Sequence, residues 1–294
     1  MDYTSIFERA RNKAIAENSD ITLLEHAYSK APLDEHEFFF DCVRRAAINN
    51  NSIAVLSHLI ARGMSVKSLS PRDFVGYRNT SKATLEFLLV HGWDINTRCR
   101  HDSTIHVAFF WDYDMIVWCL EHGAKVHTRD HDPLRDDVLT LDQRHCEQIL
   151  EEVAAWGTVA TFKLLRSKGA PLGWRPLHRA VETATYGHAK RNWIDHEERM
   201  AMVRHILHVE GFDVNARDRP QGSSFGGRNG TPICYLTSSG MLERDTRELT
   251  WLLLDRGADP TPALSYAKTE YPKFVEDVEA WRKLPRVDRR CCVQ

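Results

Sequence analysis

What this chain has little of narrows the field first. No uninterrupted apolar stretch approaches the roughly 18 residues that a membrane-spanning helix needs. The first residues, Met1-Asp2-Tyr3-Thr4-Ser5-Ile6-Phe7-Glu8-Arg9, have no apolar segment of the kind a secretory signal requires. Excess charge of one sign is also missing: Lys and Arg number 39 against 41 Asp and Glu, a net charge of −2. Nothing in that balance draws the chain as a whole to nucleic acid, so direct nucleic-acid binding is not expected. The seven cysteines, at 42, 99, 119, 146, 234, 291 and 292, are odd in number and widely scattered. That distribution implies reduced thiols rather than a disulfide framework, and with it a cytoplasmic or nuclear location.

Several catalytic and cofactor signatures are also missing. There is no G-x-x-x-x-G-K-[ST] phosphate cradle, no G-x-S-x-G elbow and no H-E-x-x-H. The Gly-rich run from Gly222 to Gly230 does not join an apolar strand to a helix and reads as a plain loop. Among 15 histidines, the pairs His127/His131 and His205/His208 have no third ligand at zinc spacing. Acidic pairs such as Asp112/Asp114, Asp136/Asp137, Glu151/Glu152 and Glu197/Glu198 read as solvated surface charge. The expectation is a chain without catalytic residues, cofactor or metal.

What is there is a repeated clause. An apolar cluster at helical spacing is followed by glycine and then a short extended stretch. It occurs at His58–Val66, Phe87–Asn96, Trp118–Val126, Leu164–Ala170, Ile206–Asn215 and Leu252–Pro260. The glycines, 63, 92, 123, 169, 211 and 257, are placed to supply the left-handed residue that ends a helix. A second clause precedes three of these helices: Ser103-Thr104-Ile105-His106-Val107-Ala108, Arg175-Pro176-Leu177-His178-Arg179-Ala180 and Gly230-Thr231-Pro232-Ile233-Cys234. In the last, Thr231 is expected to cap a helix with Pro232 at its first position. Each unit reads as turn, capped helix, short loop, apolar helix, glycine stop.

These residues resemble the ankyrin repeat family, whose units of about 33 residues carry a turn, two helices and a T-P-L-H-x-A signature. The best matches are Pro176-Leu177-His178-Arg179-Ala180 and Leu252-Leu253-Leu254-Asp255-Arg256-Gly257-Ala258-Asp259. The resemblance implies an all-α ankyrin-repeat helical solenoid of about seven degenerate units, capping pairs included. The later glycines lie farther apart, which places insertions near 130–144, 185–197 and 220–230. The expected organisation is an N-terminal capping pair over 1–35, the array over 36–262, C-terminal capping helices over 263–284 and a tail over 285–294.

Such an array implies a protein-interaction module or scaffold, acting as a monomer through its concave face and turn tips. Trp111 and Tyr113 are candidate contacts as aromatics with polar handles. Arg98, Arg100, His101, Arg129, His131, Arg217 and Arg219 are expected to form a mildly basic edge suited to an acidic or phosphorylated partner. His106 and His178 are expected to brace turns, and Trp118 and Trp251 to lie in the core. The ending Cys291-Cys292-Val293-Gln294 fits the prenylation rule, with Arg282, Lys283, Arg286, Arg289 and Arg290 upstream. Farnesylation of Cys291 would hold the chain peripherally on a cytosolic membrane face. Two other readings stay open: a transcriptional co-regulator docked on a DNA-binding partner, and an atypical enzyme with a pocket built by the inserted loops.

Overall fold

The computed structural model describes residues 17–30, 36–74, 80–97, 105–126, 149–185, 195–218, 230–237 and 246–285. Among them all regular structure is helical. The twelve α-helices are α1 (Ile21–Lys30), α2 (His36–Asn49), α3 (Ile53–Ala61), α4 (Lys82–Val90), α5 (Tyr113–Glu121) and α6 (Ile149–Trp156), then α7 (Val159–Ser167), α8 (Pro176–Ala184), α9 (His196–His208), α10 (Arg247–Asp255), α11 (Thr261–Glu270) and α12 (Pro272–Lys283). Four short 3-10 turns cover Val66–Ser68, Pro71–Asp73, Ile105–Ala108 and Pro232–Leu236. No described helix is long and apolar enough to cross a membrane.

The helix ends follow from the glycines. All six have positive φ, between +65° and +96°. At five of them the hydrogen bonding is the same. The glycine N–H returns to the carbonyl three residues back, and the next N–H to the carbonyl five residues before it, as in Gly63 to Ile60 and Met64 to Leu59. The same pair of bonds closes the helices before Gly92, Gly123, Gly169 and Gly257. Before Gly211 the chain carries one more residue, and Phe212 reaches back to Ile206 instead. That extra residue is Glu210, whose carboxylate accepts from Arg166 Nε at 3.0 Å. The helix starts vary more. Ser81, Thr158 and Asp195 each accept from the backbone N–H three residues on, the usual way of satisfying an orphan donor.

Two compact units are present, one formed by 1–109 with 114–146 and the other by 110–113 with 147–294. In the first, α3 packs on α1 and α2 over a core that includes Leu24, Val43, Ile48, Leu56 and Leu59. Buried Asp73 ties the 3-10 turn Pro71–Asp73 to α2: its Oδ1 accepts from Arg44 Nη2 at 3.1 Å and Arg45 Nε at 3.3 Å. The other carboxylate oxygen accepts from the Ser70 N–H at 2.9 Å. Breaking such a buried pair from one side would strand the remaining charge, so it positions the turn firmly.

In the second unit α8 packs against α6, α9 and the turn Pro232–Leu236, which also meets α10 and α11. Behind this row α7 packs on α6 and α9, and α12 on α10 and α11. Phe162, Leu165, Leu177, Val181, Ile206, Leu253, Phe274 and Val278 are fully buried there. Helices α11 and α12 occupy the stretch read as a final pair.

Two expectations need correction. The elements at His106 and Pro232 are 3-10 turns of four and five residues rather than α-helices; only α8 is a full first helix among the three second-clause sites. Thr231 accepts no backbone N–H; its Oγ1 lies 3.7 Å from Cys234 Sγ. A Cβ at Gly230 would stand 2.7 Å from the Cys234 Cβ.

Candidate functional site

The turns between helices are where polar chemistry concentrates. Asn96 stands four residues after its glycine stop and clamps the next one: its Nδ2 donates to Gly123 O at 3.0 Å and its Oδ1 accepts from Lys125 N at 2.8 Å. Asn215, four residues after Gly211, makes the same two bonds to Gly257 O at 2.9 Å and Asp259 N at 2.8 Å. Asp94 and Asp213 hold these asparagines in register by accepting the Asn N–H two residues on. Short polar side chains therefore lock one helix end to the next.

Around Gly169 the solution differs. Only six residues separate Gly169 from Pro176. Gly173, at φ +76°, turns the chain so closely over Glu151 that a Cβ would fall 2.4 Å from its Oε1. That buried oxygen accepts from the N–H of Trp174 at 2.7 Å and of Arg175 at 2.8 Å. Glu151 was read as surface charge and is a buried acceptor instead. Glu198, also read so, accepts from Val159 N at 2.7 Å. A carboxylate placed before a helix start satisfies donors and suits the positive end of the helix dipole.

Residues 216–218 and Gly230 share a further network. His178, fully buried on α8, lies with Nε2 3.0 Å from Ala216 O and 3.2 Å from Gly230 O. Both partners are acceptors, so Nε2 carries a proton, while Nδ1 is buried with no hydrogen-bond partner among the described residues. Burial pushes its pKa down to about 4, against smaller opposing contributions from Asp218 and the two carbonyls. The Tyr235 hydroxyl donates to Asp218 Oδ2 at 2.6 Å. Burial, and then Asp218, hold the phenol well above its ordinary range. Asp218 Oδ1 accepts from Gly230 N at 3.3 Å, while Gly230 O accepts from Asp218 N at 3.2 Å. His178 thus braces a turn, as expected; His106 is buried.

The named contact candidates fall unevenly. Trp111 is half-buried and meets Phe110 edge-on at 4.6 Å, and Tyr113, opening α5, is 44 % exposed. Arg217, next to Asp218, is exposed. Arg98, His101, Arg129, His131, Arg219 and Cys291 lie outside the described residues, as do most of the three inserted stretches. Trp118 is buried in α5; Trp251 is half-buried and donates to Asp277 O at 3.0 Å. His205 and His208 do not converge on a ligand position. The His205 ring lies edge-on to Phe162, and Nδ1 of His208 faces Arg256. Burial first, then neighbouring cations, lowers the pKa of both. Among the described residues no group of three or more His, Cys, Asp or Glu could hold a metal ion.

Sequence reasoning passed over Trp174, which is 48 % exposed on the short turn. Its signal was the shortness of that turn combined with Gly-Trp-Arg-Pro, which leaves a large side chain no second helix to pack under. No family model matches the chain, and no curated protein or solved structure shows a significant similarity to it.

Proposed function

We propose that the chain is an ankyrin-type array that binds another protein through residues around its helix starts and turn tips. The observation that carries the reading is the recurrence of one junction. Five identical glycine stops, with the Asn96 and Asn215 clamps at the same offset, are what a chain of stacked turn-helix-helix units requires. A stack of this kind spends its buried polar groups on its own turns. Glu151, His178, Asp218 and Tyr235 are all committed in that way. Among the candidate contacts, Tyr113 and Arg217 are exposed and Trp111 is half-buried. Aromatic side chains with polar handles and arginine are the residue types that dominate protein interfaces.

The test is a partner-capture experiment from cell extract, with wild type beside a Trp111→Ala/Tyr113→Ala double variant. Partner recovery should fall several-fold while the melting temperature moves by only a few degrees. A double variant that unfolds places these aromatics in the core and sinks the surface assignment. Arg217→Glu should weaken capture at low salt more than at high salt.

A further inference from the structure

The short turn at Trp174 combines an exposed indole with a backbone that has little freedom. Glu151 holds the Trp174 and Arg175 N–H groups, Gly173 sits against that carboxylate, and Pro176 fixes the next φ. An aromatic presented in one orientation before binding loses less entropy on association than one on a free loop.

The charges around it are layered. Arg175 Nε lies 3.7 Å from Glu151 Oε2, and the arginine side chain is 32 % exposed against 5 % for the glutamate. The same asymmetry recurs in this unit. Arg247 is 51 % exposed over an Asp277 that is fully buried, and Arg166 is the exposed member of its pair with Glu210. Arg179, by contrast, is matched by Glu152 and Glu182 at similar exposure and adds no outward charge. Asp218 is buried and its neighbour Arg217 exposed. At these pairs the acid sits beneath and the guanidinium group above, whereas Arg204 and Glu248 are both exposed, at 42 % and 57 %; the outward cationic charge beside Trp174 is that of Arg175 and Arg217.

Trp174 and Arg217 belong to one neighbourhood. His178, in the first turn of α8, is bonded to Ala216 O, which puts the start of α8 beside residues 216–218. The Arg175 charge is felt at both His178 and Tyr235.

We propose that the Trp174 turn, with Arg175 and Arg217, is a docking point for an acidic peptide segment of a partner protein, an apolar residue of which covers the indole. The inference rests on the protein-binding reading above and names the chemistry of the partner. Carboxylates of the segment would meet outward guanidinium groups already compensated from below, and the indole supplies desolvated area. A single-stranded nucleic acid fits less well. It calls for a succession of stacking aromatics along a basic track, and the exposed aromatics among the described residues of this unit, Tyr113, Trp174 and Tyr266, lie on separate elements.

The experiment is selection of displayed random peptides, about 16 residues long, on the full chain, on Trp174→Ala and on Arg217→Glu. Expected on the wild type is enrichment of acidic sequences with an embedded apolar residue. The best synthetic peptide should bind about tenfold more weakly to Trp174→Ala and about threefold more weakly to Arg217→Glu at low salt. Trp174→Phe should restore most of the loss, and all three variants should melt with the wild type. Lack of enrichment, a basic or uncharged consensus, equal binding by Trp174→Ala, or tighter binding of an oligouridine strand than of any peptide overturns the proposal. Peptides that survive Trp174→Ala but are lost in Trp111→Ala/Tyr113→Ala would sink this inference and leave the protein-binding reading standing.

Discussion

The turn after Gly169 and the turn after Gly211 leave helices that end in closely related ways, and then diverge. The first reaches Pro176 within seven residues and is held from below by one carboxylate, Glu151. The second runs to Pro232, and its described residues are held by the His178 imidazole on the Ala216 and Gly230 carbonyls and by Asp218, which accepts from the Gly230 N–H and the Tyr235 hydroxyl. Helix termination is a local problem: a left-handed residue and two returning hydrogen bonds solve it, and glycine does so at least strain. The turn beyond is a satisfaction problem, because its N–H and C=O groups must all find partners wherever they are buried. Side chains of different chemistry can serve, so the stops recur at five of six glycines while the turns share only the Asn96 and Asn215 clamps.

If that division holds, the largest loss should come from the shared part. Leu253 is fully buried on α10, and its carbonyl receives the closing bond from Ala258. Leu253→Ala should destabilise the protein by about 2–5 kcal/mol in urea unfolding. A loss below roughly half a kcal/mol would mean that this helix face is not packed as described.

Next comes the imidazole of the long turn, which makes stability depend on pH. The folded-state pKa of His178 is about 4, below the ordinary 6.5 expected when unfolded. Between those values the unfolded chain binds more protons, so this contribution is complete above pH 6.5 and is lost as pH falls toward 4. At full titration the effect is roughly 3 kcal/mol. His178→Gln keeps a donor for the two carbonyls and removes the titration. Its stability should fall less between pH 7 and pH 4.5 than that of the wild type. Identical slopes would show that the ring is not buried neutral.

Smaller losses should follow from the clamps. Asn96→Ala and Asn215→Ala each remove two hydrogen bonds to backbone at the next helix end, and about 1–2 kcal/mol is expected from each. Similar values at both sites would support a repeated junction. A large value at one and none at the other would break the equivalence that the matched offsets imply.

The periodic features could be read from the sequence because they are local. Apolar residues at helical spacing before Gly63, Gly92 or Gly257 state both the helix and its end, and the all-helical character of the described residues agrees. The clamps were not legible, since nothing in Asn96 alone says that its amide will meet Gly123. Glu151 was misread for the same reason: a pair of adjacent glutamates looks solvated until a turn 22 residues later folds over one of them. Trp111 and Tyr113 were legible as aromatics near the end of a first helix, while the exposure of Trp174 depends on how few residues follow Gly169.

The smallest expected effect separates a cap that is real from one that only looks so. Thr158 and Thr231 occupy corresponding places, each just ahead of a helical turn, and sequence rules treat them alike. Thr158 Oγ1 accepts from the Thr161 N–H at 3.2 Å and so satisfies a donor that the helix itself cannot. Thr231 Oγ1 faces only the Cys234 thiol at 3.7 Å, a weak partner, and the turn behind it is 3-10. Thr158→Ala should therefore cost about 1 kcal/mol, in the range of a lost N-cap. Thr231→Ala should stay within about 0.5 kcal/mol of the wild type, since no backbone donor loses its partner. Parallel urea melts of the two variants measure the difference directly. Equal losses at both positions would mean that Thr231 does cap a backbone N–H in solution and that the turn at Pro232 lengthens into a helix like α8.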